Sequence, residues 1–118
     1  MRVAFIFDFF QETGAGHFIR CSEISKRFIS KKNKIYFITN FSYITENFTK
    51  ENKIKLIKKE KKNQDYEYLK ILSSIHNLDL LIIDKYNFNL MLQKKIKKFS
   101  KKILIISDHK NKKYYCDF

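Results

Sequence analysis

Short apolar runs alternate with amphipathic segments from one end of the chain to the other. Five of these runs are rich in β-branched and aromatic residues, a pattern typical of strands that are covered on both faces. They lie at residues 3–7, 34–39, 53–57, 78–84 and 102–107. The chain therefore contains five predicted strands.

Between the runs, apolar residues recur at intervals of three and four. Phe18, Cys21, Ile24 and Phe28 form one such stripe and predict a helix over about residues 17–30. Three more helices are predicted at residues 42–49, 64–76 and 88–99. Because strands alternate with helices, we expect an α/β fold with a Rossmann-like parallel sheet and helices on both of its faces.

The 118 residues are enough for one domain, and a hydrophobic content of 44% supplies one core. The formal charge is +13, but 22 of the 25 basic residues are Lys and only 3 are Arg. Lys, Asn, Ile and Phe fill 60 of the 118 positions, and A/T-rich codons encode all four. Biased base composition thus explains the charge better than a nucleic-acid partner does, and an anionic membrane surface stays a minor alternative.

The compartment is predicted from what the chain lacks. No stretch approaches the roughly 18 apolar residues that cross a bilayer, so no integral membrane association is expected. The first apolar run is broken by Asp8 and reads as a strand, not a signal peptide. Cys21 and Cys116 are too few for a disulfide framework, which favours reduced, buried thiols in a cytoplasmic protein.

Chemistry is expected at the carboxyl edge of the sheet, where open α/β sheets bind ligands. Gly14 and Gly16 allow a sharp turn there, and His17 follows at the predicted helix start. The motif lacks the third glycine of a dinucleotide site, so no nicotinamide cofactor is expected. The positive end of the helix favours a neutral imidazole that can accept a proton from water. The alternative is that His17 only caps the helix or fills space beside the sheet.

Three motifs in this order resemble a known family. They are Gly14-x-Gly16-His17-x-x-Arg20-Cys21, then Leu80-Leu81-Ile82-Ile83-Asp84-x-Tyr86, and finally Ser107-Asp108 followed by Cys116-Asp117. The set is similar to the hydrolases of pseudaminic acid biosynthesis, which release UDP from UDP-2,4-diacetamido-2,4,6-trideoxy-β-L-altropyranose. The resemblance covers essentially this whole chain but only the first of the two facing Rossmann-like domains of that GT-B fold.

The resemblance implies a role for each matching residue. His17 corresponds to the general base that activates water, and Tyr86 to a substrate contact. Other matching positions would bind substrate or shape the loops around it, namely Asp8, Gly14, Gly16, Arg20, Asp84 and Asp108. Lys85 and His109 depart from the family pattern and put the identity of the sugar in question. No metal is expected, since aspartates at strand ends commonly cap loops, although Asp84 and Asp108 could also be read as a carboxylate pair.

Two other functions fit the same residues. One is a GT-B glycosyltransferase of the lipid-linked or spore-coat polysaccharide type, which differs from a hydrolase in its acceptor rather than its fold. The other is a catalytically inert assembly module. It is suggested by the end of the chain at Phe118, where another strand would be expected to begin. We therefore expect a second, nucleotide-binding domain that is missing here or separately encoded.

Overall fold

The computed structural model describes residues 1–7, 16–39, 43–58, 70–75, 77–84 and 94–106, and all structural statements concern these residues. They form one sheet of five parallel strands with helical segments packed against it. The strands are β1 (Arg2–Phe7), β2 (Lys34–Thr39), β3 (Lys55–Lys58), β4 (Leu78–Asp84) and β5 (Ser100–Ile106). The helices are α1 (Gly16–Lys26) and α2 (Tyr43–Glu51), together with helical residues at 70–74 and 94–96 and a 3₁₀ turn at Lys97–Phe99.

The strand order is β3-β2-β1-β4-β5, and every pairing is parallel. β2 and β3 follow β1 in the chain and lie on one side of it, whereas β4 and β5 lie on the other side. This reversal is the topological switch point of a doubly wound sheet, and open α/β sheets bind ligands at this position, outside the carboxyl ends of the strands. The predicted α/β class with a Rossmann-like parallel sheet is confirmed.

Alternating side chains of β1 build two cores, one on each face of the sheet. Val3, Phe5 and Phe7 point into a cluster with Phe18 and Cys21 of α1, whereas Ala4 and Ile6 point into the opposite cluster. The opposite cluster also holds Leu72 and Ile96, from the helical segments at 70–74 and 94–96. Helical segments therefore pack on both faces, as the unbroken apolar runs predict.

Phenylalanines dominate the core under α1 and α2. The Phe37 ring meets Phe5 and Phe7 edge to face, with centroids 5.4 and 5.1 Å apart. Phe18 of α1 and Phe48 of α2 are 5.7 Å apart and also lie edge to face. These are the preferred geometries of aromatic pairs, so the rings hold both helices at defined positions over β1 and β2.

α1 ends at Lys26, about one turn earlier than the apolar stripe predicts. The backbone N–H groups of Arg27 and Phe28 bond the carbonyls three residues before them, which closes the helix in a tight turn. Phe28 still contacts Phe5, with ring centroids 6.4 Å apart. The apolar stripe extends beyond the end of the helix because Phe28 reaches the core from the turn.

β3 begins at Lys55 rather than at the predicted residue 53. Lys53 has φ 57°, a left-handed conformation that a strand does not contain. The N–H of Ile54 bonds the Thr49 carbonyl at 2.8 Å, and the N–H of Lys53 lies 3.4 Å from the Lys50 carbonyl. Together these are a Schellman motif that ends α2, so Lys53 belongs to the helix cap.

Other predicted elements are described only in part. The predicted helix at 64–76 is seen as residues 70–74, and the one at 88–99 as residues 94–96 with the following 3₁₀ turn. β5 starts two residues before its predicted start. None of the helices in the described ranges is long and apolar enough to cross a membrane.

The left-handed cap predicts opposite effects of glycine at two neighbouring lysines. We expect Lys53→Gly to stabilise the fold by about 0.5–1 kcal/mol, since glycine adopts φ 57° without the clash of a Cβ. Lys50→Gly, inside α2, removes the same charge but costs about 0.5–1 kcal/mol through helix propensity. Urea unfolding measures both. Equal losses in the two variants would contradict the assigned cap.

Candidate active site at the carboxyl edge of the sheet

The topology brings the end of β4 to the start of α1. Phe7, the last residue of β1, pairs with Asp84, the last residue of β4. Asp84 has the same parity along β4 as Ile82, so its side chain points to the face that α1 covers. α1 runs back from this edge and carries His17 in its first turn. Asp84 and His17 therefore lie together at the switch point.

Asp84 is the centre of the site and is 1% exposed. Arg20 binds it side-on through two hydrogen bonds, Nε to Oδ2 at 2.6 Å and Nη2 to Oδ1 at 2.7 Å. Bidentate guanidinium–carboxylate pairs are among the strongest charge-assisted contacts in proteins. The positive end of α1 adds a further favourable potential for the carboxylate. A buried charge at this place is therefore compensated from two sides.

His17 contacts the same carboxylate, with Nδ1 2.6 Å from Oδ1 of Asp84. A carboxylate can only accept a hydrogen bond, so we place the ring proton on Nδ1. In the neutral ring Nε2 then carries the lone pair. Arg20 Nη2 lies 3.5 Å from Nδ1, which is too long for a strong hydrogen bond. The 2.6 Å contact with the carboxylate therefore decides the position of the ring proton.

His17, Arg20 and Cys21 meet Asp84 together because they are spaced three and four residues apart on one helix. This spacing places side chains on a single helical face. Their exposure differs: His17 is 4% exposed, whereas the Arg20 side chain is 40% exposed. The guanidinium therefore lies at the rim of the site, and the imidazole lies inside it.

The Cys21 thiol completes the group, with Sγ 4.0 Å from Oδ2 of Asp84. Cys21 is free and buried, as expected from the sequence. Burial raises the pKa of the thiol far above its ordinary value, and the charge of Asp84 raises it further, against a smaller opposing effect of Arg20. Cys21 is a neutral neighbour of the carboxylate and has no nucleophilic character at physiological pH.

Gly16 is the first residue of α1 and is exposed. A Cβ added there would meet no atom within 4 Å. The local structure does not require glycine for space, and the missing side chain leaves open room at the amino terminus of α1. A ligand could approach the backbone closely at this point.

The structure brings together His17, Arg20 and Asp84, which the sequence predicts as site residues, and places Gly16 beside them. The other predicted site residues lie outside the described residues. So do the two positions that depart from the family pattern and the second cysteine. They are Asp8, Gly14, Tyr86, Asp108, Lys85, His109 and Cys116. Within the described ranges, no group of three or more His, Cys, Asp and Glu side chains is placed to hold a metal ion.

One further residue at this edge, Thr39, is not predicted from the sequence. Thr39 is the last residue of β2 and is completely buried. Its position at a strand end is the signal that could have identified it, because the carboxyl ends of all the parallel strands meet at one edge.

Scans against protein-family models, curated proteins and solved structures find no match to this chain. Support for a function therefore comes from the geometry of the site and from the resemblance of its motifs.

The buried ion pair predicts a large difference between two aspartates of β4. Asp84→Asn removes the negative charge and replaces one of the two acceptor oxygens with an NH2 donor, which leaves the Arg20 charge without its partner and is expected to cost about 3 kcal/mol of unfolding free energy. Asp79→Asn is the matched control, since Asp79 lies at the start of the strand, accepts the Arg2 N–H and pairs with Lys101 near the surface. We expect a clearly smaller loss there in denaturant unfolding. Similar losses would mean that the Asp84 network contributes little.

The raised pKa of Cys21 predicts a thiol that does not react in the folded protein. In a Cys116→Ser background, Cys21 is the remaining thiol and is expected to react with iodoacetamide at pH 8 at least about a hundredfold more slowly than in denaturant. The rate of mass increase measures this. Native and denatured rates that agree within a factor of a few would contradict the burial of Cys21.

Proposed function

We propose that this chain hydrolyses a nucleotide sugar, with His17 as the general base that activates water. The observation that carries the proposal is the 2.6 Å contact between His17 Nδ1 and Asp84, at the switch point of a doubly wound sheet. A carboxylate that holds one ring nitrogen fixes the tautomer and orients the other nitrogen, as a general base requires. The order of the surrounding motifs supports a UDP-sugar of the diacetamido-trideoxy type as substrate.

In the proposed reaction Nε2 of His17 takes a proton from water while the water oxygen forms a bond to the sugar. The bond between the sugar and the diphosphate breaks, and UDP leaves with the electron pair. Asp84 stabilises the imidazolium that forms, because its carboxylate already contacts Nδ1. A positioned base accounts for roughly 10² to 10⁴ of the rate, and orientation of the substrate accounts for more.

The charges at the site suit an anionic substrate. Arg20 neutralises Asp84, so the carboxylate does not repel a diphosphate from the switch point. The exposed part of the guanidinium and the amino terminus of α1 both present positive potential at the rim. In a GT-B enzyme a second domain would face this edge and hold the nucleotide, and we propose the same arrangement for the whole enzyme here.

The burial of His17 restricts how such a base works. At 4% exposure the ring acts on a water enclosed together with the substrate, not on bulk solvent. The same burial favours a second candidate function: a structural clamp that ties α1 to β4 in a non-catalytic assembly module. In that case the network of Asp84 with Arg20 and His17 contributes only stability.

A single substitution separates the two functions. Asn at position 17 carries an amide N–H close to the place of Nδ1 and therefore keeps a donor to Asp84, but it has no basic nitrogen. If His17 is the base, we expect His17→Asn to lower the rate of UDP release roughly a hundredfold to ten-thousandfold with little change in Tm. Glu23→Gln on the exposed face of α1 is the control and is expected to leave the rate unchanged.

The assay measures UDP release from UDP-2,4-diacetamido-2,4,6-trideoxy-β-L-altropyranose by the chain alone and mixed with the protein encoded beside its gene. Release in water alone supports hydrolysis, whereas release that requires an added sugar or lipid acceptor indicates transfer. An unchanged rate in His17→Asn removes the base from the mechanism. No release under any of these conditions favours the clamp.

A further inference from the structure

Thr39 ends β2 with a hydroxyl group that is completely buried. Among the residues that the structure describes, its Oγ1 is the only buried side-chain nitrogen or oxygen without a hydrogen-bond partner. Other buried hydroxyls on the same face are satisfied: Ser22 bonds the Phe18 carbonyl at 2.7 Å and Thr49 the Glu46 carbonyl at 2.9 Å. An unpaired buried hydroxyl costs stability that a valine of the same shape would not.

The position of Thr39 points to the candidate active site. Along β2 it has the same parity as Phe37, so its side chain lies on the face covered by α1 and α2. Ile38 pairs with Ile6, which places Thr39 beside Phe7, and Phe7 pairs with Asp84. Two strand spacings therefore separate Thr39 from Asp84, roughly 10 Å along the edge of the sheet.

The amino terminus of α2 lies close to the same place. α2 starts at Tyr43, four residues after Thr39, and has nine residues. A helix that follows a parallel strand directs its amino terminus, with its partial positive charge, toward the carboxyl edge of the sheet, where it favours a polar ligand. The unpaired hydroxyl and the helix terminus are independent features that indicate one binding position.

We propose that Thr39 Oγ1 hydrogen-bonds a hydroxyl group of the sugar nucleotide and thereby positions it against His17. This inference rests on the proposed function and adds a specific binding residue to it. A threonine hydroxyl both donates and accepts, which complements a ligand hydroxyl. A span of roughly 10 Å from Asp84 suits one ligand that reaches both residues.

Binding at this position requires a local rearrangement. Thr39 is 0% exposed and His17 is 4% exposed, so a ligand contacts both only after displacing the atoms that shield them from solvent. The partner that Thr39 lacks in the unliganded protein is then supplied by the substrate. The hydroxyl lowers the stability of the unliganded protein and contributes to the affinity for the substrate in the complex.

The test replaces the hydroxyl without changing the shape of the side chain. We expect Thr39→Val to raise Tm by roughly 3–8 °C and to raise the Kd of the UDP-sugar about threefold to tenfold, as loss of one hydrogen bond predicts. Thr49→Val is the matched control: it is equally buried, its hydroxyl is satisfied, and we expect no rise in Tm and no change in Kd. Thermal unfolding of the purified chain measures the change in Tm, and calorimetric titration of the chain, alone and mixed with the protein encoded beside its gene, measures the change in Kd.

Titrations with the UDP-sugar and with UDP identify which ligand hydroxyl contacts Thr39. A weaker Kd for the UDP-sugar with an unchanged Kd for UDP assigns the contact to the sugar, and equal weakening of both assigns it to the ribose. An unchanged Kd for both overturns the inference and leaves the proposed function intact. A Tm that does not rise shows that the hydroxyl is satisfied in solution, which also overturns it. If the wild-type chain binds neither UDP nor the UDP-sugar, both alone and mixed with the protein encoded beside its gene, the proposed function fails and this inference fails with it.

Discussion

The buried carboxylate of Asp84 is the constraint on which the site depends. A charge with 1% exposure is stable only with close compensation, and Arg20 supplies it through two short hydrogen bonds. Because Arg20 sits on α1, the ion pair also holds the start of that helix against the end of β4. His17 is oriented by Oδ1 of Asp84, the same oxygen that accepts a hydrogen bond from Arg20 Nη2. One charged group thus connects the topology of the sheet to the orientation of the candidate base.

The two-faced core makes this arrangement rigid. Phe7 ends β1 within the aromatic cluster and lies beside Asp84 across the strand pair, so the carboxylate is anchored next to a well-packed ring. Phe18 follows His17 directly and packs on Phe7 and Phe48. The backbone that carries His17 is therefore held by hydrophobic packing one residue away from its polar contact. Precise orientation of a base needs this kind of support.

Stability and function compete at the carboxyl edge of the sheet. Most buried hydroxyls of the helices are satisfied by carbonyls within the same helix, as Ser25 is by Ser22. Thr39 differs because it lies on a strand, where its side chain has no carbonyl of a preceding helical turn within reach. A site that binds polar ligands keeps polar groups available for them, and in the unliganded protein a buried polar group without a partner lowers stability. At the other edge of the sheet, Asp79 accepts the Arg2 N–H and pairs with Lys101, so its polar atoms have partners within the fold.

The sequence by itself determined the α/β class, the five strands and the helix that carries His17, because continuous apolar runs and stripes with a period of 3.6 residues are local patterns that follow directly from burial. Its motifs also indicated His17, Arg20 and Asp84 as candidate site residues. Strand order, the contact between residues 17 and 84, and the unpaired hydroxyl of Thr39 required the tertiary structure. Local patterns specify which face of an element is buried, whereas only the folded chain specifies which partner it is buried against. The end of α1 and the start of β3 show the same limit, since backbone hydrogen bonds in the Phe28 turn and the Lys53 cap decided both.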